Sequence, residues 1–308
     1  MKGYHLDLVR VTEAGAIAAA KWVGRGNKEA ADKDATEAIR NRLNRLDFLA
    51  EVAIGEGEKD ESYGLYYGER VGEQRNELME PQYSIAVDPI EGTTPTAKGG
   101  YEAMSVIALG QEDSFFKTNS FYMNKIAVGP KIAKKVKISL VNSVQTNISL
   151  ISAALNKKME HLTVCVLDRP RHDDLVAEIR NLGCRIKFIT DCDVTACIAC
   201  CERDSGVDVY WGIGGSPEGV IAAAAMKCMG GFLQCQLCDK KGDEYVVDNS
   251  LLEIEDLAKG DVMFSATGIT NGKLLKGVAF TSRGPITHSI TMRSGSGTVR
   301  RIITQHGN

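Results

Sequence analysis

No run of about eighteen consecutive apolar residues occurs in the 308-residue chain, and its opening stretch "MKGYHLDLVRVTEAGAIAAAKW" holds no sustained apolar segment. That excludes a membrane-spanning helix and a secretory leader of the usual kind, so the expected setting is cytoplasmic and unprocessed. A clustered excess of Lys and Arg is missing too. The net charge is -3, and a surface that neutralises the phosphates of a nucleic-acid polymer needs the opposite balance. A small or local phosphate ligand stays open. Nine cysteines, an odd number scattered along the chain, do not make a disulfide framework and suit a reducing compartment. Internal repeats, low-complexity segments and long linkers are lacking as well. What remains is an ordinary globular composition, 44% apolar and 25% charged, enough for one large or two moderate domains.

Two local cysteine clusters stand out, Cys197, Cys200 and Cys201 in "CIACC" and Cys235 and Cys238 in "CQLC". Four thiolates from two Cys-x-x-Cys pairs could close a zinc or iron–sulfur site. However, "VTACIACC" reads as a helix and "GFLQCQLC" as a strand, whose alternation points Cys235 and Cys238 to opposite faces. Buried cysteine acting as a small hydrophobe is the reading favoured here.

Periodicity divides the chain. The first forty-odd residues predict two helices, over "LDLVRVTEAGAIAAAKWVG" and "DATEAIRNRLNRL". Short apolar runs follow, "EVAI", "YSIAVD", "AMSVIAL" and "FYMNKIAV", each bounded by Gly, Pro or charge, which predict a mostly antiparallel sheet. From His161 strand and helix alternate: "HLTVCVLD" with "RHDDLVAEIRNLG", "RIKFIT" with "DVTACIACC", and "VDVYWGIGG" with "SPEGVIAAAAMKCMGG". Such a unit is parallel and puts the C-terminal ends of its strands on one edge. The last stretch returns to strands in "VMFSATGI", "LLKGVAF", "ITHSITMRS" and "GTVRRIITQH". The expected class is α/β, with an α+β domain over residues 1–160 and a parallel-strand α/β domain over 161–308.

Carboxylates carry the chemistry. In "AVDPIEGTT" an apolar strand stops on Asp88, Pro89 removes a ladder donor, and the Ile90 carbonyl and Glu91 follow. Three oxygen donors so placed suit a hard divalent cation such as Mg²⁺ or Mn²⁺. Gly92 permits a close turn, and the amides of Gly92, Thr93 and Thr94 can open a helical turn toward an anion. Upstream, "EVAIGEGEKDE" supplies Glu56, Glu58, Asp60 and Glu61, a density of like charge that either lies in a solvated loop or is held by cations. Glu218 opens a helix after "GGSP", where an acid complements the helix dipole and also sits on the functional edge. Arg169, Arg171 and His172 follow one parallel strand, and Asp191 and Asp193 follow the next. Arginines suit a phosphoryl group and paired aspartates suit sugar hydroxyls, although Asp193 also reads as a helix cap.

These segments resemble the class II, GlpX-type fructose-1,6-bisphosphatases of the lithium-sensitive sugar and inositol phosphatase superfamily. The matching stretches are "KWVGRGNKEAADKDA", "IGEGEKDE", "IAVDPIEGTT", "RPRHDDLVAEIRNLG", "DVYWGIGGSPEGV", "VMFSATGIT" and "TMRSGSGTVRRI", in order across nearly the whole chain. The resemblance implies a layered α-β-α-β-α sandwich and Mg²⁺- or Mn²⁺-dependent hydrolysis of the 1-phosphate of fructose 1,6-bisphosphate. It implies metal ligands at Asp32, Glu56, Asp88, Glu91 and Glu218, with Glu58, Asp60 and Thr93 nearest the chemistry. Substrate contacts fall on Glu91, Gly92, Thr93, Tyr122, Arg169, Pro170, Arg171, Asp191, Cys192, Asp193 and Gly215. A homodimer or homotetramer is the implied assembly, with a small sugar bisphosphate as partner and neither nucleic acid nor membrane.

Two departures from the family pattern are visible. The segment between "GGFLQCQLC" and "VMFSATGIT" is short, and Cys192 stands where Gly is common. The expected mechanism is attack by a metal-activated water, with Thr93 orienting or deprotonating it beside Asp60 or Glu58; a phospho-Thr93 route would need an activating base. Sedoheptulose 1,7-bisphosphate or an inositol phosphate are alternative substrates. A binding protein with a cysteine-held metal is the reading from a different class.

Overall fold

The computed structural model describes residues 3–57, 62–73 and 79–307. The chain forms two compact units, one from residues 1–117 together with 258–308 and one from residues 118–257. The first opens with helices α1 (His5–Ala20) and α2 (Lys28–Leu43). Asn27 caps α2, its side chain accepting from the Ala30 amide at 3.0 Å, and this starts the helix several residues before the expected "DATEAIR" segment. Strands β1 (Ala50–Ile54), β2 (Arg70–Val71) and β3 (Tyr83–Glu91), helix α3 (Thr93–Lys98) and strand β4 (Met104–Gln111) follow.

The second unit contains strand β5 (Tyr122–Val128), helices α4 (Pro130–Ala133) and α5 (Val144–Leu155), strand β6 (Thr163–Leu167), helix α6 (Asp173–Asn181), strand β7 (Arg185–Ile189), helix α7 (Asp193–Ala199), strand β8 (Val209–Gly215) and helix α8 (Ser216–Met229). Strands β9 (Phe232–Lys241), β10 (Glu244–Val247) and β11 (Leu252–Glu253) and helix α9 (Ile254–Leu257) complete it. The chain then returns to the first unit with strands β12 (Val262–Gly268), β13 (Ala279–Thr281), β14 (Gly284–Arg293) and β15 (Thr298–Gln305).

In the first unit the strand order is β13-β14-β12-β4-β3-β1-β2, with β15 on β14. Among the described residues only β1 and β3 run parallel there; the other pairs are antiparallel. One face packs on α1 and α2, where Leu8, Val11, Ile39 and Leu43 meet Val52, Ile85, Val87 and Ile107. Each such side chain, fully buried, contributes about 1.5–3 kcal/mol of transfer free energy. The second unit's sheet runs β10-β9-β5-β8-β6-β7, with β11 on β9. Its parallel core is the expected β6-α6-β7-α7-β8 unit. Ile126 and Val128 face the cluster that holds Ile148 and Ile151 of α5 and Val176 and Ile179 of α6.

Two expectations differ from this picture. The change of period near residue 160 lies inside the second unit, because β5, from before it, is seated antiparallel between β8 and β9. The closing strands belong to the first unit's sheet, which a reading by rhythm alone cannot reveal. "LLKGVAF" is strand only from Ala279. Before that it is a loop, closed by the Gly272 amide on the Leu275 carbonyl at 2.8 Å and the Gly277 amide on the Asn271 side chain at 3.1 Å.

Candidate active site

In the first unit the acids gather where β3 turns into α3. Asp88 pairs with Val106 and Glu91 with Met104, so three steps along β3 match two along β4. The extra residue makes a β-bulge. Pro89 brings no amide, and the next one, of Ile90, donates to Asp88 Oδ1 at 2.9 Å. The ladder therefore bends at Pro89 and resumes at Glu91, where a stop was expected. The bend leaves Asp88 half-buried and Glu91 only 3% exposed, with one carboxylate oxygen of each within 4.8 Å of the other. Gly92, at φ 100° and ψ 52°, makes the left-handed turn that a side chain would oppose. Thr93 then reaches the Ile90 carbonyl and Asp32 Oδ1 with its hydroxyl, both at 3.3 Å.

Asp32 thus joins the same corner from α2, one helical turn after Lys28, whose Nζ donates to Thr94 Oγ1 at 2.7 Å. Burial pushes the Asp32 carboxyl up from its ordinary value, opposed by the Thr93 hydrogen bond and the Lys28 charge. Glu56 follows β1, the parallel neighbour of β3, and is half-buried, with its amide donating to the Leu65 carbonyl at 2.9 Å. Leu65 is held at φ 55°, an unusual angle for a branched side chain. Its amide donates to Glu69 Oε2, and Arg40 Nε donates to Glu69 Oε1, both at 2.5 Å. Arg40 and Glu69 thereby brace the strained backbone at Leu65, a role no local motif announces. Glu58 and Asp60 lie outside the described residues.

The second unit brings Tyr122 together with Arg171. The Arg171 guanidinium lies 5.7 Å from the Tyr122 ring centre and 5.0 Å from that of Tyr245, and Nε and Nη2 donate to the Ile213 carbonyl at 3.0 and 2.8 Å. Tyr245 belongs to β10 and escaped the sequence reading. Arg169 donates to the Thr190 carbonyl at 2.6 Å and stands 3.7 Å from Asp191. Exposed Pro170 opens the short turn between Arg169 and α6. His172 locks this turn to β8: Nδ1 is 2.7 Å from the Leu167 carbonyl, and Nε2 accepts from the Ile213 amide at 2.7 Å. Cys192, at φ 70°, precedes α7 and is buried. Asp193 is not a cap. It is the first residue of α7, and its Oδ2 receives Lys125 Nζ at 2.5 Å and the Tyr210 hydroxyl at 3.1 Å.

Glu218 stands in the first turn of α8, where buried Oε2 has no hydrogen-bond partner among the described residues. Burial, then the Asp193 charge, push its carboxyl up, against the pull of Lys125. An orphaned carboxylate oxygen of this kind is completed by a proton or a cation. In the other unit the donors at the bulge are all oxygen. Oxygen donors of this kind are the ones a hard divalent metal takes.

The cysteines are all free, and among the described residues no three of them converge on a metal-binding point. Cys235 pairs in register with Lys125 and Cys238 with Tyr122, so the two project to opposite faces of β9. Burial pushes the Cys235 thiol up to about 12 and Cys238 up to about 11. Among the described residues no helix is long and apolar enough to cross a membrane.

Comparison with known proteins places this geometry in context. Residues 2–306 match the family model described as bacterial fructose-1,6-bisphosphatase, glpX-encoded. A Haemophilus influenzae protein named fructose-1,6-bisphosphatase class 2 is 42% identical over 322 residues, covering 98% of this chain and 95% of the relative. A Synechocystis protein named D-fructose 1,6-bisphosphatase class 2/sedoheptulose 1,7-bisphosphatase is 39% identical over 333 residues, and a Microcystis aeruginosa protein of the same name is 39% identical over 335, each with the same coverage.

Proposed function

The chain belongs to the glpX-encoded bacterial fructose-1,6-bisphosphatase family, and we propose from that membership that it hydrolyses the 1-phosphate of fructose 1,6-bisphosphate to fructose 6-phosphate and inorganic phosphate. The observation that carries this reading is the β3 bulge, which sets Asp88, Glu91, Gly92 and Thr93 in one short turn beside Asp32. Asp32, Glu56, Asp88, Glu91 and Glu218 are the residues that would hold Mn²⁺ or Mg²⁺. Bound there, the metal would neutralise phosphoryl charge and make a water nucleophilic near neutral pH.

The remaining work falls to the chain's own groups. The Thr93 hydroxyl has one proton, committed to Asp32 or to the Ile90 carbonyl, so its lone pairs are left to orient an attacking water. Glu58 and Asp60 are assigned to the chemistry together with Thr93 on the family resemblance. The Gly92 backbone, without a side chain, lets the phosphoryl group approach closely. Arg169, Pro170 and Arg171 with Tyr122 receive the distal phosphate, for which guanidinium groups are well shaped. Asp191, Cys192, Asp193 and Gly215 line the sugar, the half-buried Asp191 carboxylate accepting from its hydroxyls while Asp193 holds the turn from within.

The two cyanobacterial relatives carry a double name, which supports sedoheptulose 1,7-bisphosphate as a second substrate. A homodimer or homotetramer acting in the cytoplasm is part of the same proposal. Phosphate release from fructose 1,6-bisphosphate, with and without Mn²⁺ or Mg²⁺, tests it in the parent and in Glu91→Ala. Metal-dependent release that falls by at least about a hundredfold in the variant is expected. Absence of release in the parent with either cation would overturn the assigned substrate.

A further inference from the structure

Lys125 is the largest charged side chain buried completely in the second unit, and nothing in the reaction as proposed uses it. It sits mid-strand on β5 among Met123, Ile126 and Ala127, and its ammonium reaches across the α7–α8 face of the sheet. There it meets Asp193 Oδ2 at 2.5 Å and the Gly215 carbonyl at 2.8 Å. Those partners belong to two different turns. Asp193 follows β7 at the start of α7, and Gly215 ends β8 immediately before α8.

Stability does not account for such a group. A buried ammonium loses several kcal/mol of hydration, and its attraction to a buried carboxylate only roughly repays that; a well-packed apolar replacement of the whole pair is often neutral. Geometry gives a better account. The neighbouring backbone has been cleared for the bracket: a Cβ at Gly214 would lie 2.2 Å from Asp193 Oδ2 and 2.9 Å from Lys125 Nζ. Tyr210, itself fully buried, supplies a second donor to the same carboxylate oxygen. Asp193 Oδ2 is therefore pinned from two sides, and the ammonium that pins it also holds the carbonyl that precedes the Glu218 helix.

We propose that Lys125 is a positioning residue for the phosphatase reaction, fixing the Asp191–Asp193 turn and the Gly215 turn at the spacing the sugar phosphate needs. This inference rests on the assignment of those turns to substrate under Proposed function. Lys125 acts through the two groups it holds, the Asp193 carboxylate and the Gly215 carbonyl. Tyr210 assists it through Asp193 alone.

Steady-state kinetics of Lys125→Met and Tyr210→Phe, each with a thermal melt, provide the test. A merely structural role lowers the folded fraction and hence apparent kcat, leaving KM where it was. A positioning role raises KM for fructose 1,6-bisphosphate, by roughly tenfold in Lys125→Met, since a displacement near 1 Å is costly to bound geometry. The expected KM rise in Tyr210→Phe is about threefold, with kcat in both variants within about threefold of the parent. An unchanged KM in a folded Lys125→Met overturns the proposal. Should that variant fail to fold, Tyr210→Phe decides alone, a raised KM supporting the bracket and an unchanged one overturning it. A parent inactive on fructose 1,6-bisphosphate would instead sink the substrate assignment, so the two failures are distinguishable.

Discussion

Gly215→Ala separates activity from stability more cleanly than removing a carboxylate. Gly215 has φ -64° and ψ 147°, angles any residue adopts, so alanine brings no backbone strain. What it brings is a methyl group 1.9 Å from Glu218 Oε2. Real Cβ contacts essentially never fall under 3.0 Å, so the carboxylate must retreat by at least 3.0 - 1.9 = 1.1 Å. Glu218 is flexible enough to move at a modest rotamer cost of about 0.5–1.5 kcal/mol. Its proposed role is not so tolerant: a misplacement near 1 Å costs on the order of a hundredfold in rate, about 2.7 kcal/mol of transition-state stabilisation. Meanwhile a Gly→Ala change at compatible angles stabilises by roughly 0.4–1 kcal/mol through the unfolded chain. The expected variant melts at or slightly above the parent, loses about a hundredfold in kcat/KM, and needs about tenfold more Mn²⁺ for half activation. Manganese titrations of initial rate, paired with thermal melts, read all three. Activity within threefold of the parent at the parent's manganese requirement would refute Glu218 as a ligand.

Three further outcomes are expected. Glu69→Ala strips the Leu65 amide of its buried acceptor and Arg40 of its partner; a loss of about 2–3 kcal/mol, or roughly 4–10 °C in Tm, should appear in a thermal melt, and no change would deny the brace. Burial holds His172 below its ordinary value, so the unfolded chain binds a proton that the folded chain refuses. Its contribution is complete above about pH 6.5 and fades as pH falls below that; urea midpoints between pH 7.5 and 5 should drop more steeply in the parent than in His172→Gln. With the Cys201 and Cys235 thiols pushed up to about 12, the thiolate share at pH 8 is of order 1 in 10⁴. A disulfide-exchange reagent should therefore titrate the native protein slowly and all nine cysteines quickly once it is denatured; fast native reaction at those two positions would contradict the burial.

Legibility in the sequence followed range. The β3-to-α3 turn and the Glu218 turn are local, their positions written in consecutive Pro, Gly and carboxylate residues. Within "ADKDA" nothing local separates Asp32 from ordinary solvated charge, because what distinguishes it is Thr93, 61 residues on. Lys125 drew no reading within the run "FYMNKIAV"; its meaning lies with Asp193, 68 residues away. Residue for residue, Asp193 resembled a helix cap, and only the buried ammonium shows that its side chain turns inward instead. The division into units failed for the same reason: β5 carries no local mark that it will pair with β8 and β9. Tyr245 and Glu69 sit in stretches without a motif, and their partners come from other segments of the chain.

The first unit's sheet is interrupted in time as well as in sequence. On β3 the ladder continues to β4, but the far edge of β4 is filled by β12, which begins at Val262, 151 residues after Gln111. At ribosomal rates of about 5–20 residues per second, that edge waits roughly 8–30 seconds for its partner. Residues 118–257, contiguous and supplying every strand of their own sheet, can fold during the wait, while the earlier half holds an open, apolar β edge of the kind that recruits wrong partners. The nascent chain is therefore most exposed to misassembly after its second unit has folded and before its last four strands have been made.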